Sequence, residues 1–383
     1  MSEQGYLVIS DISGYSTYIK DSELEHARDS LAALLKLLIE HTRSPFAIAK
    51  LEGDAVFSYA PAGAFLQGQS ILELMEGTYV AFRRALELMI LNTNCPCNAC
   101  RNLPKLDLKF FVHFGEYSLQ EMGPYKELIG NDVNLLHRLL KNKISETLKL
   151  RAYAAYTQAV VDHLQLSAFC KEMLKHSETF ADVGEVKLNV QDMHGVWERG
   201  REHTRIEVNP KDALNVFTHD YPIPPAQLWE YVTMPETRAL FMGVEKQEID
   251  KETIRNGEET VYLCYHGSGT SQHTIVDWRP FEQYTTNETL VAGIAMYATY
   301  KLEPIEGGTR FSLIWGKPRG LGIVTRPIEK MLLTKYVPTM PEMAARMEAR
   351  IQKDINEGRL AFMPSTLVGP EQLQSAVAES LSR

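Results

Sequence analysis

The chain has 383 residues, of which 44% are hydrophobic and 23% charged, and its formal net charge is −9. A chain of this length is too long for one ordinary hydrophobic core, and its composition is that of a globular protein. The negative net charge argues against a duplex nucleic-acid binder, which needs a concentrated basic face. No stretch approaches the ~20 apolar residues of a membrane span, and residues 1–10 lack the pattern of a signal peptide, so we expect a cytoplasmic protein.

The first half of the chain predicts alternating strands and helices. Residues 5–12 are a short apolar, β-branched strand that ends in a polar turn, and a helical pattern covers about 23–42. Two apolar runs in 45–59 flank Glu52-Gly53-Asp54 and predict a β-hairpin. The patterns that follow predict a helix over 71–92, a strand over 106–117, a helix over about 132–143, and β-rich pieces over 150–156 and 181–197. This order indicates helices on one mixed sheet, the α+β class.

The second half predicts a different architecture. After a strand from 216 and a short helix over 224–231, strand candidates rich in Tyr, Thr and Trp alternate with glycine turns, and a long helix is predicted over 329–357. One long helix against a curved antiparallel sheet is the arrangement of a helix-grip domain. We therefore expect a domain at 1–200, a linker at 201–214, a second domain at 215–360 and a loosely ordered tail at 361–383.

Three short motifs place polar residues at the ends of predicted strands and at the start of a predicted helix. DISGY at 11–15 ends the first predicted strand, KLEGD at 50–54 lies at the hairpin tip, and GNDVNLLHRL at 130–139 opens a predicted helix. Taken singly, Asp11 is typical of a cap or turn residue and Asp54 of a hairpin turn. Together and in this order, the motifs favour a functional site.

The three motifs resemble those of class III adenylate and guanylate cyclases, namely D-I-x-G-F/Y, K-x-x-G-D and G-x-x-V-N-x-A-x-R. The resemblance covers about residues 5–200 and implies a ferredoxin-type α/β sandwich that acts as a homodimer with two composite sites. Leu136 stands where a small alanine is usual, and the continuation after Arg138 resembles an uncharacterised bacterial subfamily of cyclase-like proteins. The implied activity is that of a nucleotidyl cyclase, a phosphorus–oxygen lyase that forms a 3′,5′-cyclic nucleotide and pyrophosphate.

The resemblance also implies roles for individual residues. Carboxylates are the ligands that Mg²⁺ or Mn²⁺ prefers, and two such ions would activate the attacking oxygen and hold the leaving phosphates. The implied metal ligands are Asp11, Ile12 and Asp54, with Ser13, Gly14 and Tyr15 cradling phosphates. Asn134 would orient the ribose and Arg138 would stabilise charge on the phosphate, although an arginine on a helix also commonly forms a surface salt bridge.

Two further residues would read the base, Lys50 and Glu127, the latter in place of the usual aspartate. Lysine only donates hydrogen bonds and a carboxylate only accepts them. This pair suits a base with an amino donor beside a ring-nitrogen acceptor, which describes adenine and cytosine but not guanine or uracil. ATP is therefore the first expected substrate, with CTP as the alternative.

Three cysteines, Cys95, Cys97 and Cys100, crowd between a predicted helix and strand. Thiolates at this spacing can converge on one soft metal ion such as zinc, which usually takes four ligands. His113 and His137 are candidates for the fourth. The alternative is a turn with incidental thiols.

Residues 217 to about 350 resemble the START-like (SRPBCC, polyketide cyclase-like) superfamily. The resemblance lies in IPPAQLWEYV at 223–232, VDWRP at 276–280, a late hairpin with LEP at 302–304, and the long C-terminal helix. Such folds enclose an apolar cavity, which implies a hydrophobic small-molecule ligand.

Two functions follow as hypotheses. The first is a homodimeric cyclase whose output is modulated by a hydrophobic ligand in the C-terminal domain. The second is a non-catalytic nucleotide or small-molecule sensor or scaffold that retains the cyclase fold. The two differ in turnover and not in binding.

Overall fold

The computed structural model describes residues 2–42, 45–92, 95–122, 125–201, 205–249, 255–266, 269–289, 294–320 and 322–361. The chain divides into two compact units: the first comprises Met1–Ala64, Ile71–His203 and Ala361–Arg383, and the second Phe65–Ser70 and Thr204–Leu360. The expected tail lies, after its first residue, outside the described residues.

Within its described residues, the first unit combines eight strands with eight helices of very different lengths. Its strands are β1 (Glu3–Ser13), β2 (Ala47–Glu52), β3 (Ala55–Pro61), β4 (Asp107–Met122), β5 (Tyr125–Ile129), β6 (Tyr153–Thr157), β7 (Leu174–Phe180) and β8 (Gly184–Asp192). Its helices are α1 (Tyr15–Lys20), α2 (Leu24–Thr42), α3 (Gln69–Leu91, whose first two residues belong to the second unit), α4 (Asn98–Asn102), α5 (Asn131–Leu139), α6 (Ile144–Leu148), α7 (Gln158–His163) and α8 (Met193–Arg201).

The strands of the first unit form one mixed sheet in the order β2-β3-β1-β4-β6-β8-β7, with β5 paired to β4. The pair β4 and β6 is parallel, and the other neighbours are antiparallel. Strand β1 is central, and its residues from Tyr6 to Ile9 are all fully buried, which explains its unbroken apolar run. On one face, Leu7, Ile9 and Phe57 share a core with apolar residues of α5.

In the part of the second unit that the structure describes, there are seven strands and four α-helices. Its strands are β9 (Asn215–Tyr221), β10 (Lys246–Ile249), β11 (Val261–His266), β12 (Gly269–Arg279), β13 (Gln283–Thr289), β14 (Ala295–Ile305) and β15 (Gly308–Trp315), and its helices are α9 (Pro225–Thr233), α10 (Pro235–Met242), α11 (Gly322–Met331) and α12 (Met340–Asn356). The strands form an antiparallel sheet in the order β10-β11-β12-β13-β14-β15-β9. Helix α12 packs on α10 and touches β9.

A short segment from the N-terminal half, Phe65–Ser70, belongs to the second unit. The N–H groups of Leu66 and Gln67 donate to the buried carboxylate of Glu230 at 2.8 and 3.2 Å. The Gln69 side chain donates to the backbone oxygen of Asn256 at 2.6 Å and accepts from its N–H at 2.8 Å. The expected N-terminal domain at 1–200 is therefore interrupted. The sequence does not predict this interruption, because the partners of the segment lie far along the chain.

Two expected elements are wrong in part. Residues 193–201 form helix α8 and not strand or linker, since the Asp192 carboxylate accepts the N–H of His194 at 3.0 Å and caps that helix. The long C-terminal helix is divided into α11 and α12 by a π turn at Leu332–Tyr336 and a 3₁₀ turn at Val337–Thr339. Pro338 and Pro341 cannot donate the hydrogen bonds that a continuous helix requires there.

Candidate functional site

The acidic residues of the first two motifs lie together at one end of β1. Asp11 pairs with Ala55 of β3, and the N–H of Ile12 donates to the carbonyl oxygen of Asp54 at 3.3 Å. Burial raises the pKa of Asp54 to about 7, and the charge of Asp11 adds to this rise. Burial also raises the pKa of Asp11. The two carboxylates thus occupy a partly dehydrated site in which their full ionisation is opposed.

Lys109 is the cation beside this acidic pair. It lies opposite Asp11 in the pairing of β1 with β4, and its charge lowers the pKa of both Asp11 and Asp54. One lysine against two ionised carboxylates leaves a net charge of −1. This set of hard oxygen donors with excess negative charge fits a divalent ion such as Mg²⁺ or Mn²⁺. Lys109 was not among the predicted site residues, because its position depends on strand register.

The turn after Asp11 depends on a glycine. Gly14 has a φ of 87° and a ψ of 0°, and a Cβ atom at this position would lie 2.8 Å from the carbonyl oxygen of Lys105. The next residue, Tyr15, begins the six-residue helix α1, and burial together with the charge of Asp54 raises the pKa of its phenol. The turn therefore places the Tyr15 side chain near the acidic pair.

Replacing Gly14 with alanine is expected to destabilise the protein by more than the ~1–2 kcal/mol of left-handed strain alone, because a backbone carbonyl blocks the added carbon. Gly184→Ala is the matched control, since Gly184 has a φ of 86° but no described atom within 4 Å of an added Cβ. Urea unfolding of both variants measures the difference. Equal losses of stability would contradict a close contact at Gly14.

Lys50, the lysine of the second motif, lies in an ion-pair network. The Lys50 Nζ atom is 2.6 Å from Glu52 Oε1, and His137 Nδ1 is 3.0 Å from Glu52 Oε2. The His137 hydrogen bond, followed by that of Lys50, lowers the pKa of Glu52 to about 2 despite partial burial. The ring of Phe57 packs edge-on against His137 at 5.1 Å between centroids. This network joins α5 to the hairpin, and neither Glu52 nor His137 was expected in it.

The third motif lies on α5, whose start is anchored by Asp132. The Asp132 carboxylate accepts the N–H of Glu116 at 2.7 Å and lies 3.3 Å from Nε2 of the buried His113. The same carboxylate occupies the space where a side chain at Gly115 would be. These contacts fix the position of the helix that carries Asn134 and Arg138.

The two residues of α5 expected at the site, Asn134 and Arg138, are directed to solvent or to a surface partner. Asn134 is exposed, and Arg138 is ion-paired with Asp182, as the salt-bridge alternative predicts. Glu127 is exposed on β5, which touches β2, the strand of Lys50. Asp11 and Asp54 thus lie together, whereas Arg138 is engaged with Asp182 and not with the acidic pair.

The cysteine cluster gains a histidine that the sequence analysis did not identify. His26, in the first turn of α2, lies with Cys95, Cys97 and Cys100 so that the four ligand atoms are all within 4.8 Å of one another. The other two histidines considered lie elsewhere, since His113 bonds Thr157 and Asp132, and His137 bonds Glu52. No disulfide joins any of the five cysteines, all of which lie within the described ranges.

The second unit contains a fully buried charged cluster. Arg238 Nη2 donates to the hydroxyl of Tyr300 at 3.0 Å, and Tyr300 in turn donates to Glu288 at 2.9 Å. His273 Nδ1 lies 3.3 Å from Glu288. Burial alone would lower the pKa of His273 and raise that of Glu288, but their mutual attraction and hydrogen bond outweigh it and move these pKa values to about 9 and about 2. The sequence analysis did not identify this cluster.

Comparison with known proteins gives partial matches. A family model described as "Protein of unknown function (DUF2652)" matches residues 31–147. An uncharacterized protein of Mycobacterium tuberculosis, Rv2561/Rv2562, is 35% identical over 116 residues, which make up 30% of this chain and 52% of that protein. The chain thus spans about half the length of the curated relative it matches.

Solved structures with some likeness include two cyclases. A bacterial light-regulated adenylyl cyclase is 15% identical with a TM-score of 0.37, covering 53% of this chain and 58% of that one. The guanylyl cyclase Cya2 is 13% identical with a TM-score of 0.39, covering 50% and 92%. Protein MLL2253 from Mesorhizobium loti is 14% identical with a TM-score of 0.30, covering 36% and 96%. These likenesses are weak and assign no activity to this chain.

Among the described helices, none combines the length and apolarity that crossing a membrane requires.

Proposed function

We propose that the chain is a nucleotidyl cyclase that converts ATP or CTP into a 3′,5′-cyclic nucleotide and pyrophosphate. The observation that carries the proposal is the half-buried pair Asp11 and Asp54, which are brought together from two motifs 43 residues apart and are only partly neutralised by Lys109. A structural role explains this pair poorly, because two adjacent carboxylates withdrawn from water repel each other and one lysine offsets only one of their two charges.

The acidic pair would hold two divalent ions, Mg²⁺ or Mn²⁺, with the backbone of Ile12 as a further ligand. Bound metal would supply charge neutralisation and activate the attacking 3′-oxygen. The protein's own contribution is to keep Asp11 and Asp54 close on paired strands. The tight turn from Ser13 to Tyr15, which requires glycine at position 14, would lie against the phosphates.

Asn134 and Arg138 would complete the site of a second copy of the chain in a homodimer. Both are accessible, and the Arg138–Asp182 pair is 42% and 54% exposed at its two side chains. Exposed ion pairs contribute little stability, so Arg138 can exchange Asp182 for phosphate oxygens at small cost. A guanidinium matches phosphoryl oxygens better than an ammonium does.

Base selection is assigned to Lys50 and Glu127. Lys50 would donate to a ring nitrogen and Glu127 would accept from an exocyclic amino group, which favours adenine or cytosine. Glu52 and His137 position Lys50 by holding the strand on which it lies. Glu127 is exposed on a strand that touches β2, so both residues border the same surface.

The rival function is a nucleotide or small-molecule sensor without turnover. The observation that favours it is that two cations needed for the reaction already have acidic partners, Lys50 with Glu52 and Arg138 with Asp182. In this reading the pairs keep the residues away from a nucleotide, and the carboxylates bind metal without chemistry.

The second unit is proposed to be a START-like (SRPBCC) domain that binds a hydrophobic ligand and modulates the first. Its seven-stranded antiparallel sheet and α12 support the proposal. The proposed boundaries are 1–200 and 215–360 with a linker at 201–214, apart from Phe65–Ser70.

Mixed dimers test the composite site. Asp54→Asn and Arg138→Ala, each inactive alone, are expected to regain part of the activity after subunit exchange, because one site per heterodimer then has both intact halves. The matched control mixes Asp54→Asn with Asp11→Asn, which damage the same half and must stay inactive. Failure of the first mixture, with exchange verified by differential tags, would contradict a site shared between chains.

A further inference from the structure

The cysteine cluster is built from two segments that hydrogen bonds already hold together. Cys95 and Cys97 lie just before α4, Cys100 lies within it, and His26 comes from α2, 69 residues before Cys95. The Ala99 N–H donates to the Glu23 carboxylate at 2.9 Å. This contact holds the start of α4 against the residues that lead into α2.

Other bonds hold the cysteine segment in shape. The Arg101 guanidinium donates twice to the Pro96 carbonyl oxygen, at 2.9 and 2.6 Å. The Asn102 side chain donates to the backbone oxygen of Asp21 at 3.2 Å. The N–H of Cys100 donates to Cys97 Sγ at 3.4 Å, an arrangement that stabilises a thiolate. A turn with incidental thiols does not require this degree of order.

Two distances from His26 are close to those of a tetrahedral ion site. His26 Nδ1 is 3.3 Å from Cys97 Sγ and 3.7 Å from Cys95 Sγ. Zn–S and Zn–N bonds of about 2.3 and 2.0 Å place neighbouring ligand atoms of a tetrahedral site about 3.5–3.8 Å apart. Three sulfurs and one imidazole nitrogen form a soft, tetrahedral donor set that selects zinc over magnesium or calcium.

We propose that Cys95, Cys97, Cys100 and His26 bind one Zn²⁺ ion in a closed Cys₃His structural site. All four ligands come from the protein, which is typical of structural zinc, whereas catalytic zinc keeps an open position. The ion would fasten the cysteine segment to the start of α2. That segment continues to Lys105, whose carbonyl oxygen lies against Gly14, so zinc would also support the turn after Asp11.

The site is tested with Zn²⁺ and Co²⁺ on the full chain. We expect about one zinc per chain by elemental analysis, and Co²⁺ substitution to give the intense visible bands of tetrahedral thiolate coordination. His26→Ala is expected to lower zinc affinity at least about 100-fold, more than the loss of a residue that only contacts a ligand. His26→Cys is expected to retain tight binding. His41→Ala, on the same helix, is the matched control and is expected to bind as the parent does.

A readout on the unmodified protein covers the case in which a variant fails to fold. Zinc is expected to slow amide hydrogen exchange at residues 98–105 at least about 10-fold, since metal binding stabilises the segment that carries the ligands. Absence of stoichiometric zinc and of the cobalt bands, or His26→Ala binding equal to that of His41→Ala, would overturn the proposal. A disulfide between two of the three cysteines in the purified protein under mild reductant would overturn it in favour of a redox pair.

Discussion

Asp54→Asn is expected to abolish metal-dependent turnover and, at the same time, to make the metal-free protein more stable. Loss of a direct metal ligand should lower activity by more than the roughly 10–100-fold that follows from loss of a residue that only contacts a ligand. Stability should rise because the pKa of Asp54 is raised to about 7 in the fold, from 3.8 in the unfolded chain. One pKa unit corresponds to about 1.4 kcal/mol, so the gain should be on the order of 1 kcal/mol or more above pH 7.

The raised pKa of Asp54 makes the stability of the parent protein depend on pH. The folded state holds the Asp54 proton more tightly than the unfolded state does, so the parent loses stability as the pH rises from about 4 through 7. The variant should lack this loss. Urea unfolding in chelator at pH 5 and pH 8 measures it, with the exposed carboxylate variant Asp29→Asn as the control. A variant that is less stable than the parent at pH 8 would mean that Asp54 is a structural residue.

Glu288→Gln is expected to destabilise the second unit by about 3–5 kcal/mol, because it leaves Arg238 and His273 as buried charges without their counter-ion. Glu288 is 3% exposed and accepts hydrogen bonds from Tyr300 and Thr286 at 2.9 and 3.0 Å. Glutamine retains the shape of the side chain and one hydrogen-bond acceptor, so the loss of stability measures the effect of removing the charge. Thermal and urea unfolding followed by tryptophan fluorescence measure it.

The same cluster predicts how stability depends on pH. The pKa of His273 is raised from 6.5 to about 9, so its contribution is complete below pH 6.5 and is lost as the pH rises through 9. Glu288→Gln should remove this dependence. The control is Glu303→Gln, which breaks an exposed pair with Lys301 at 2.8 Å and should change stability little. Equal effects of the two glutamine variants would contradict a structural role for the buried cluster.

The sequence predicts the strands around the acidic pair because their signals lie in neighbouring residues. The run before Asp11 and the two runs on either side of Asp54 have periodicities and turn residues that identify them as strands. The sequence analysis did not predict the contacts of Lys109, Glu52 and His137, because these contacts depend on strand register and on helix packing. The base-reading roles of Lys50 and Glu127 stay predictions.

Long-range partners account for most of what else the sequence missed. His26 joins cysteines 69 to 74 residues away, and Arg238 meets Tyr300 only when α10 packs on the sheet. The division of the C-terminal helix was overlooked for another reason. Its apolar periodicity continues across Pro338 and Pro341 and so predicts one helix, although these prolines lack the backbone N–H donors that a continuous helix needs.

Direct assay of turnover tests the central claim. The pure chain is incubated with Mn²⁺ and each of the four nucleoside triphosphates, and cyclic product and pyrophosphate are measured together by chromatography and mass spectrometry. ATP or CTP should give both products in equal amounts, with GTP and UTP used poorly, and Asp54→Asn should give neither. Nucleotide binding without any cyclic product, or product formation that survives in Asp54→Asn, would contradict the account.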